Sequence, residues 1–239
     1  MKRTILIILI AAATLPSSAF AQPSRSSKRT LSRSLDEICQ SSSTDKNAKA
    51  GPCQILDEAK HVLATGIYRN GIKDSCWTYY NVLAQPIQRF DFNTHRLLYD
   101  RTDTATIVHS SFQLLGKTAD SDKVHPPYKI GGANYGFYLF YDARDIPQEV
   151  KSASDGASIN FVFYITDEGV LKEWKVIYKG KQFTDIVRRQ SFHGLPPDAF
   201  EFMPAQVNGH PVSSLLIYSV SLDVSHVQAS TTNNIVTQH

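Results

Sequence analysis

From Val212 to Val224 apolar and polar side chains alternate: Val212, Leu216, Tyr218, Val220, Leu222 and Val224 fall on one side, Ser213, Ser219, Ser221 and Asp223 on the other. A period of two predicts a strand with one buried and one wet face. Just before it, Asn208-Gly209 supplies two residues that take positive φ at low cost, as a tight β-hairpin requires. Upstream, residues 159–166 form a β-branched and aromatic run, Asp167-Glu168-Gly169 a turn, and residues 170–178 a second strand. Between the two hairpins, Phe183, Ile186, Val187 and Gln190 recur at helical spacing behind Thr184, which predicts a short capped helix stopped by Gly194 and Pro196. Strand, strand, helix, strand is an α+β order.

The earlier chain is less regular. Leu31, Leu35 and Ile38 share one helical face, predicting a helix over residues 31–39; Ile55, Ala59, Val62 and Leu63 predict another ending near Gly66. Residues 41–51 are small and polar, hence a loop. From Trp77 to Tyr141 aromatic and β-branched residues gather between breaks at Gly116, Pro126-Pro127 and Gly131-Gly132. Strands are expected at 96–99, 105–115 and 136–141. Pro147, Ser152, Ser154 and Gly156 loosen the chain over 144–158. That stretch separates a mixed, mainly β region with short helices (51–144) from a C-terminal unit (145–224).

Phe202, Pro204, Ala205, Asn208, Gly209, Pro211 and Val212 follow the pattern F-x-P-A-x-x-N-G-x-P-V that leads into the last strand of the TonB family's C-terminal domain. Gly169 stands at the expected distance upstream, and Ile146-Pro147 is similar to the tyrosine-proline pair that begins that domain. The chain thus resembles the TonB family over residues 145–224. The resemblance implies an antiparallel sheet that takes up a peptide from an outer-membrane or other envelope protein by strand addition, with main-chain hydrogen bonds carrying affinity. A last strand with an unpaired edge would offer the backbone around Ser213, Leu215, Ile217, Ser219 and Ser221.

The ends and composition set the compartment. Lys2 and Arg3 precede an apolar run over 5–15, and Ala19-Phe20-Ala21 has the small residues a signal peptidase reads, so residues 1–21 are expected to be a cleavable signal peptide. As a helix the run would span about 16 Å, short of the roughly 30 Å hydrocarbon core. Gln22 follows the cut, where a lipid anchor would need cysteine. Residues 22–50 read as a flexible, partly helical leader and 225–239 as a polar, disordered tail. Removing Lys2 and Arg3 from 25 basic residues leaves 23 against 22 acidic ones, a balance that points to no nucleic-acid or anionic-surface partner. A periplasmic protein follows, in an oxidising compartment where Cys39, Cys53 and Cys76 are disulfide candidates. Cys39 with Cys53 would close a loop of about 15 residues, worth ~3 kcal/mol; Cys53 with Cys76 is an equal alternative.

Catalytic, metal and cofactor chemistry finds little support. His61, His95, His109, His125, His193, His210, His226 and His239 are scattered, with no pair at i, i+4 around an acid. His109 beside Ser110 and Ser111 lacks a glycine-flanked elbow to present a nucleophile. Gly131-Gly132-Ala133-Asn134-Tyr135-Gly136 lacks the lysine of a phosphate loop and is expected to be a loop between strands. Asp167-Glu168 and Asp120 with Asp122 sit in turns, where carboxylates are solvated. Trp174 is expected in the core beside Val170 and Val176. No small-molecule substrate is indicated.

The expected protein is therefore an exported, non-enzymatic module that binds an envelope partner by strand addition, in transport or energy transduction across the envelope. It shows no proline-rich spacer, and cleavage would leave no retained helix of a full transducer; if residues 1–21 stay uncleaved, inner-membrane anchoring is expected instead. A homodimer is compatible with the same edge. The alternatives are a structural subunit of an envelope transport or secretion complex, and a secreted enzyme gathering His95, His109 or His125 with acids in a pocket.

Overall fold

The computed structural model describes residues 25–41, 49–101, 106, 108–141, 146–153 and 156–222. The expected signal peptide and C-terminal tail lie outside them. The chain is β-dominated.

Seven strands follow one another as an antiparallel meander: β1 (Arg25–Ser32), β2 (Leu35–Ser41), β3 (Gly51–Asp57), β4 (Val62–Arg69), β5 (Ile72–Tyr80), β6 (Pro86–Asp91) and β7 (Arg96–Asp100). Both helices expected here are strands. Over 35–39 the true period is two, with Leu35, Glu37 and Cys39 all buried. The buried acid disguised that alternation. Glu37 is held inside by Lys49 Nζ at 2.7 Å and Arg29 Nε at 3.4 Å. In the second case a turn breaks the apparent helix: Asp57 accepts the His61 backbone N–H at 2.8 Å and pairs with its ring at 2.8 Å, while Lys60 takes φ 70°. Residues 25–32 of the expected leader are thus a strand. Cys39 and Cys53 stand directly opposite on β2 and β3 and form the disulfide, leaving Cys76 free.

Next come β8 (Val108–Leu114), β9 (Val124–His125), β10 (Tyr128–Lys129), α1 (Gly132–Phe140) and α2 (Gln148–Lys151). The aromatic stretch expected as a strand and the glycine loop expected before it together make α1. Asn134, Tyr135, Gly136, Phe137, Leu139 and Phe140 are all buried. A helix apolar on nearly every side is stable when packed on every side. Gly136 permits the approach, because a β-carbon there would stand 3.0 Å from both Lys129 Cγ and Tyr218 Cε2.

The C-terminal segment supplies β11 (Ala157–Ile165), β12 (Leu171–Gly180), β13 (Ile186–Arg189), a 3-10 turn (Pro197–Phe200), β14 (Phe202–Met203), β15 (Ala205–Val207), β16 (His210–Val212) and β17 (Ser214–Leu222). Both expected hairpins form. Across the second, Val207 faces His210, with Asn208 at φ 53° and Gly209 at φ 82°. The expected helix behind Thr184 is instead β13. Its four residues pair with β12 from Tyr178↔Ile186 to Lys175↔Arg189, so an open sheet edge outweighed a weak helical spacing. Trp174 and Val176 are buried as expected, whereas Val170 is 52% exposed because it ends the turn before β12 begins.

These strands build one sheet in the order β13-β12-β11-β17-β8. β8 and β10 precede the expected boundary near residue 144 yet pair with β17 and β14. One hydrophobic core runs through both large sheets: Tyr79 of β5 meets Tyr135 of α1 at 5.4 Å, and Phe140 of α1 meets Phe163 of β11 at 4.7 Å. The chain change near 144 is therefore not a break in packing.

Candidate functional site

The long strand at the carboxyl end is not an edge. β11 pairs along one side of β17, from Ala157↔Leu222 to Ile165↔Ser214. β8 pairs along the other, from Leu114↔Ser214 to Val108↔Val220. Leu215, Ile217 and Ser219 face Gln113, Ser111 and His109. Ser213 accepts the Leu115 N–H at 3.0 Å on its carbonyl and the Asp167 N–H at 3.2 Å on its hydroxyl. Ser221 lies past the end of β8 and pairs with Ser158. The expected partner-binding surface is thus largely occupied by an earlier segment of the same chain. Nothing local in residues 213–222 signals this, because the covering strand lies about a hundred residues upstream.

The motif residues are architectural. Phe202 is buried, its ring 5.7 Å from Phe163. Pro204 packs on the preceding turn: a β-carbon at Gly169 would stand 3.2 Å from Pro204 Cδ. Ala205 is wholly buried, and Val212 and Pro211 pair with Ala205 and Gln206. Asn208 accepts the Lys123 N–H at 2.9 Å and donates to Asp122 at 2.9 Å, tying the hairpin to a turn far upstream.

The row of main-chain groups expected on β17 reappears on β8. The Leu115-to-Ser213 bond fixes the ladder's phase: Gln113, Ser111 and His109 exchange bonds with β17, so Ser110, Phe112 and Leu114 direct their N–H and C=O groups away from it. Val108, at the same phase, is engaged by the Thr106 hydroxyl. Among the described residues no strand pairs with that outer side. The sequence Val-His-Ser-Ser-Phe-Gln-Leu carries neither proline, lysine, arginine nor carboxylate. The other edges of the two large sheets are guarded: β1 has Lys28 and Arg29, β7 has Arg96 and Asp100, β13 has Arg188 and Arg189. Charges and proline are the devices by which sheets repel foreign strands, and of the described edges of the two large sheets β8 is the one that lacks them. Phe112, 41% exposed, and Leu115, 46% exposed, add apolar surface beside it.

Behind this sheet lies a buried ionic cluster that the sequence did not reveal. Lys73 Nζ meets Asp198 Oδ2 at 2.6 Å and Glu201 Oε2 at 2.7 Å, and the Tyr135 hydroxyl donates to Asp198 at 2.6 Å. Lys129 Nζ donates to the carbonyls of Ile130 at 3.0 Å and Glu201 at 2.9 Å. Burial opposes the Lys73 charge, but Asp198 and the other anionic neighbours keep its pKa well above the ordinary lysine value. Burial also disfavours the Asp198 carboxylate, yet Lys73 and Tyr135 hold it down at about 2. Glu201, the second acid on one ammonium, is raised by burial. Lys129, desolvated and without a direct carboxylate, is pushed down to about 8. The cluster clamps β5 to the 3-10 turn, and so one sheet to the other. The sequence signal was faint: Lys73 falls in phase with Trp77 and Tyr79 on a strand.

His95, His109 and His125 lie on different elements, before β7, on β8 and on β9. Among the described residues no three His, Cys, Asp or Glu side chains gather as metal ligands, and no helix is long and apolar enough to cross a membrane. Comparison with protein-family models, with curated proteins and with solved structures returns no match.

Proposed function

We propose that this is an exported envelope protein that binds a partner by strand addition, and that the receiving edge is β8. The observation that carries the reading is the outer side of β8, where Ser110, Phe112 and Leu114 offer backbone donors and acceptors with no charge or proline to discourage pairing. A partner segment laid against it would extend the five-stranded sheet, its main chain bonding to those residues and an apolar side chain resting on Phe112. The resemblance to the TonB family over 145–224 supports the same mode of recognition on a displaced edge, and the leader-like residues 1–21 support a periplasmic setting in envelope transport.

Proline at position 112 removes one outward N–H while leaving the bonds to β17 intact, so the fold tolerates it. A photo-crosslinking residue at position 110 should capture a discrete envelope protein in cells. Phe112→Pro should abolish that product, whereas Val187→Pro on the β13 edge should not. Capture that persists undiminished in Phe112→Pro would refute the reading.

A further inference from the structure

Two turns of this chain carry Asn-Gly, the dipeptide in which a side-chain amide is most readily lost to water. The glycine nitrogen gives up its proton and attacks the asparagine Cγ, the Cγ–Nδ2 bond breaks, and ammonia leaves with that proton. Water then opens the cyclic imide at either carbonyl, giving aspartate or isoaspartate and a new negative charge. Attack requires the carboxamide to swing onto the following backbone nitrogen, so a fold that ties the carboxamide down slows the reaction.

At Asn208-Gly209 the carboxamide is held from both sides. Its Oδ1 accepts the Lys123 N–H at 2.9 Å, and its Nδ2 donates to Asp122 Oδ1 at 2.9 Å. The Asn208 backbone N–H donates in turn to the Lys123 carbonyl at 2.9 Å. Asp122 is itself fixed, its Oδ2 accepting the Ala119 N–H at 2.8 Å, and the Ala119 and Asn208 donors keep its carboxyl below the ordinary range. The hairpin tip is otherwise open: Asn208 and Gly209 are exposed, and a β-carbon at Gly209 would meet nothing within 4 Å. Asn70-Gly71 has nearly the same backbone, with φ 52° and 82° against 53° and 82°. There the attacking nitrogen is engaged instead, the Gly71 N–H donating to the Lys49 carbonyl at 2.9 Å.

We infer that Asn208 is a latent deamidation site, kept slow by Asp122 and Lys123, and that its conversion irreversibly unlatches residues 119–123. A carboxylate at position 208 has no amide donor and faces the ionised Asp122 across the same contact, where like charges repel. Residues 119–123 belong to the connection between β8 and β9, so their release loosens the chain that leaves the exposed strand. This goes beyond strand addition and does not rest on it.

Peptide mapping by mass spectrometry of the whole protein, aged in neutral buffer, tests the inference against a synthetic peptide spanning residues 204–212. Conversion at Asn208 should lag well behind that in the peptide. Asp122→Asn, whose one oxygen cannot serve both Ala119 and Asn208, should speed it roughly tenfold, the worth of one hydrogen bond to a charged group. Conversion at Asn70 should stay unchanged in that variant. Asn208→Asp should speed amide exchange at Lys123, and adding Asp122→Asn should reverse the effect by restoring a donor opposite an acceptor. Native conversion at Asn208 as fast as in the peptide overturns the inference. So does a rate at Asn208 untouched by Asp122→Asn, equal acceleration at Asn70, or unaltered exchange at Lys123 in Asn208→Asp.

Discussion

Lys73 is where a single side chain matters most. Its ammonium is enclosed with two carboxylates and a tyrosine, so Lys73→Met leaves the buried Asp198 and the half-buried Glu201 without their directly paired counter-charge. Breaking one side of such a cluster costs about 3–5 kcal/mol, and urea denaturation at neutral pH should read a loss of that size. Asp198 links the cluster to acid. Its folded pKa of about 2 lies below its ordinary value, so its stabilisation is present above the ordinary value and fades as pH falls toward 2. Lys129 gives the opposite and less usual dependence. Its folded pKa of about 8 lies below 10.5, so above pH 8 the folded protein releases a proton that the unfolded chain retains, and stability rises with pH. The rise ends near pH 10, where the buried tyrosines, all raised, begin to penalise folding because the unfolded chain ionises first. Denaturation midpoints should therefore climb from pH 8 toward pH 10, and Lys129→Met should flatten the climb. A flat profile in the native chain would show that Lys129 keeps its proton.

Among the elements, those fixed by neighbours in sequence were legible. Asn208-Gly209 between alternating strands specified its hairpin, and Asp167-Glu168-Gly169 specified the one before it, because turn geometry depends on a few adjacent residues. Elements decided by distant partners were not. The aromatic run of α1 has strand-like composition but is enclosed on nearly every side, and β13 has helical spacing but meets an open edge of β12. Glu37, buried by Lys49, broke the alternation that would have shown β2. The disulfide is an element-scale staple across β2 and β3. Its removal in Cys39→Ser/Cys53→Ser should lower stability by up to ~3 kcal/mol, measured by denaturation, while alkylation still labels Cys76. An unchanged midpoint would show that the β2–β3 pairing already confines the chain.

For the molecule as a whole, the decisive feature is the route of residues 108–114. By crossing to the far side of β17 they make the C-terminal sheet five-stranded, bury the edge that residues 213–222 suggest in isolation, and present a new one. Phe202, Pro204 and Asn208, which mark the resemblance in sequence, hold core and turn in place. The alternating strand over 213–222 was legible, but not the strand that covers it or the edge this leaves on β8, because pairing between segments about a hundred residues apart leaves no local trace. The same long-range assembly joins the two sheets through Lys73 and Asp198.

Amide hydrogen exchange followed residue by residue on the isolated protein tests this arrangement most directly. The N–H groups of Ser110, Phe112 and Leu114 should exchange rapidly, while those of Leu215, Ile217 and Ser219, bonded to β8, should be strongly protected. Protection at Ser110, Phe112 and Leu114 equal to that of β17, or rapid exchange along Leu215, Ile217 and Ser219, would contradict an open edge at β8.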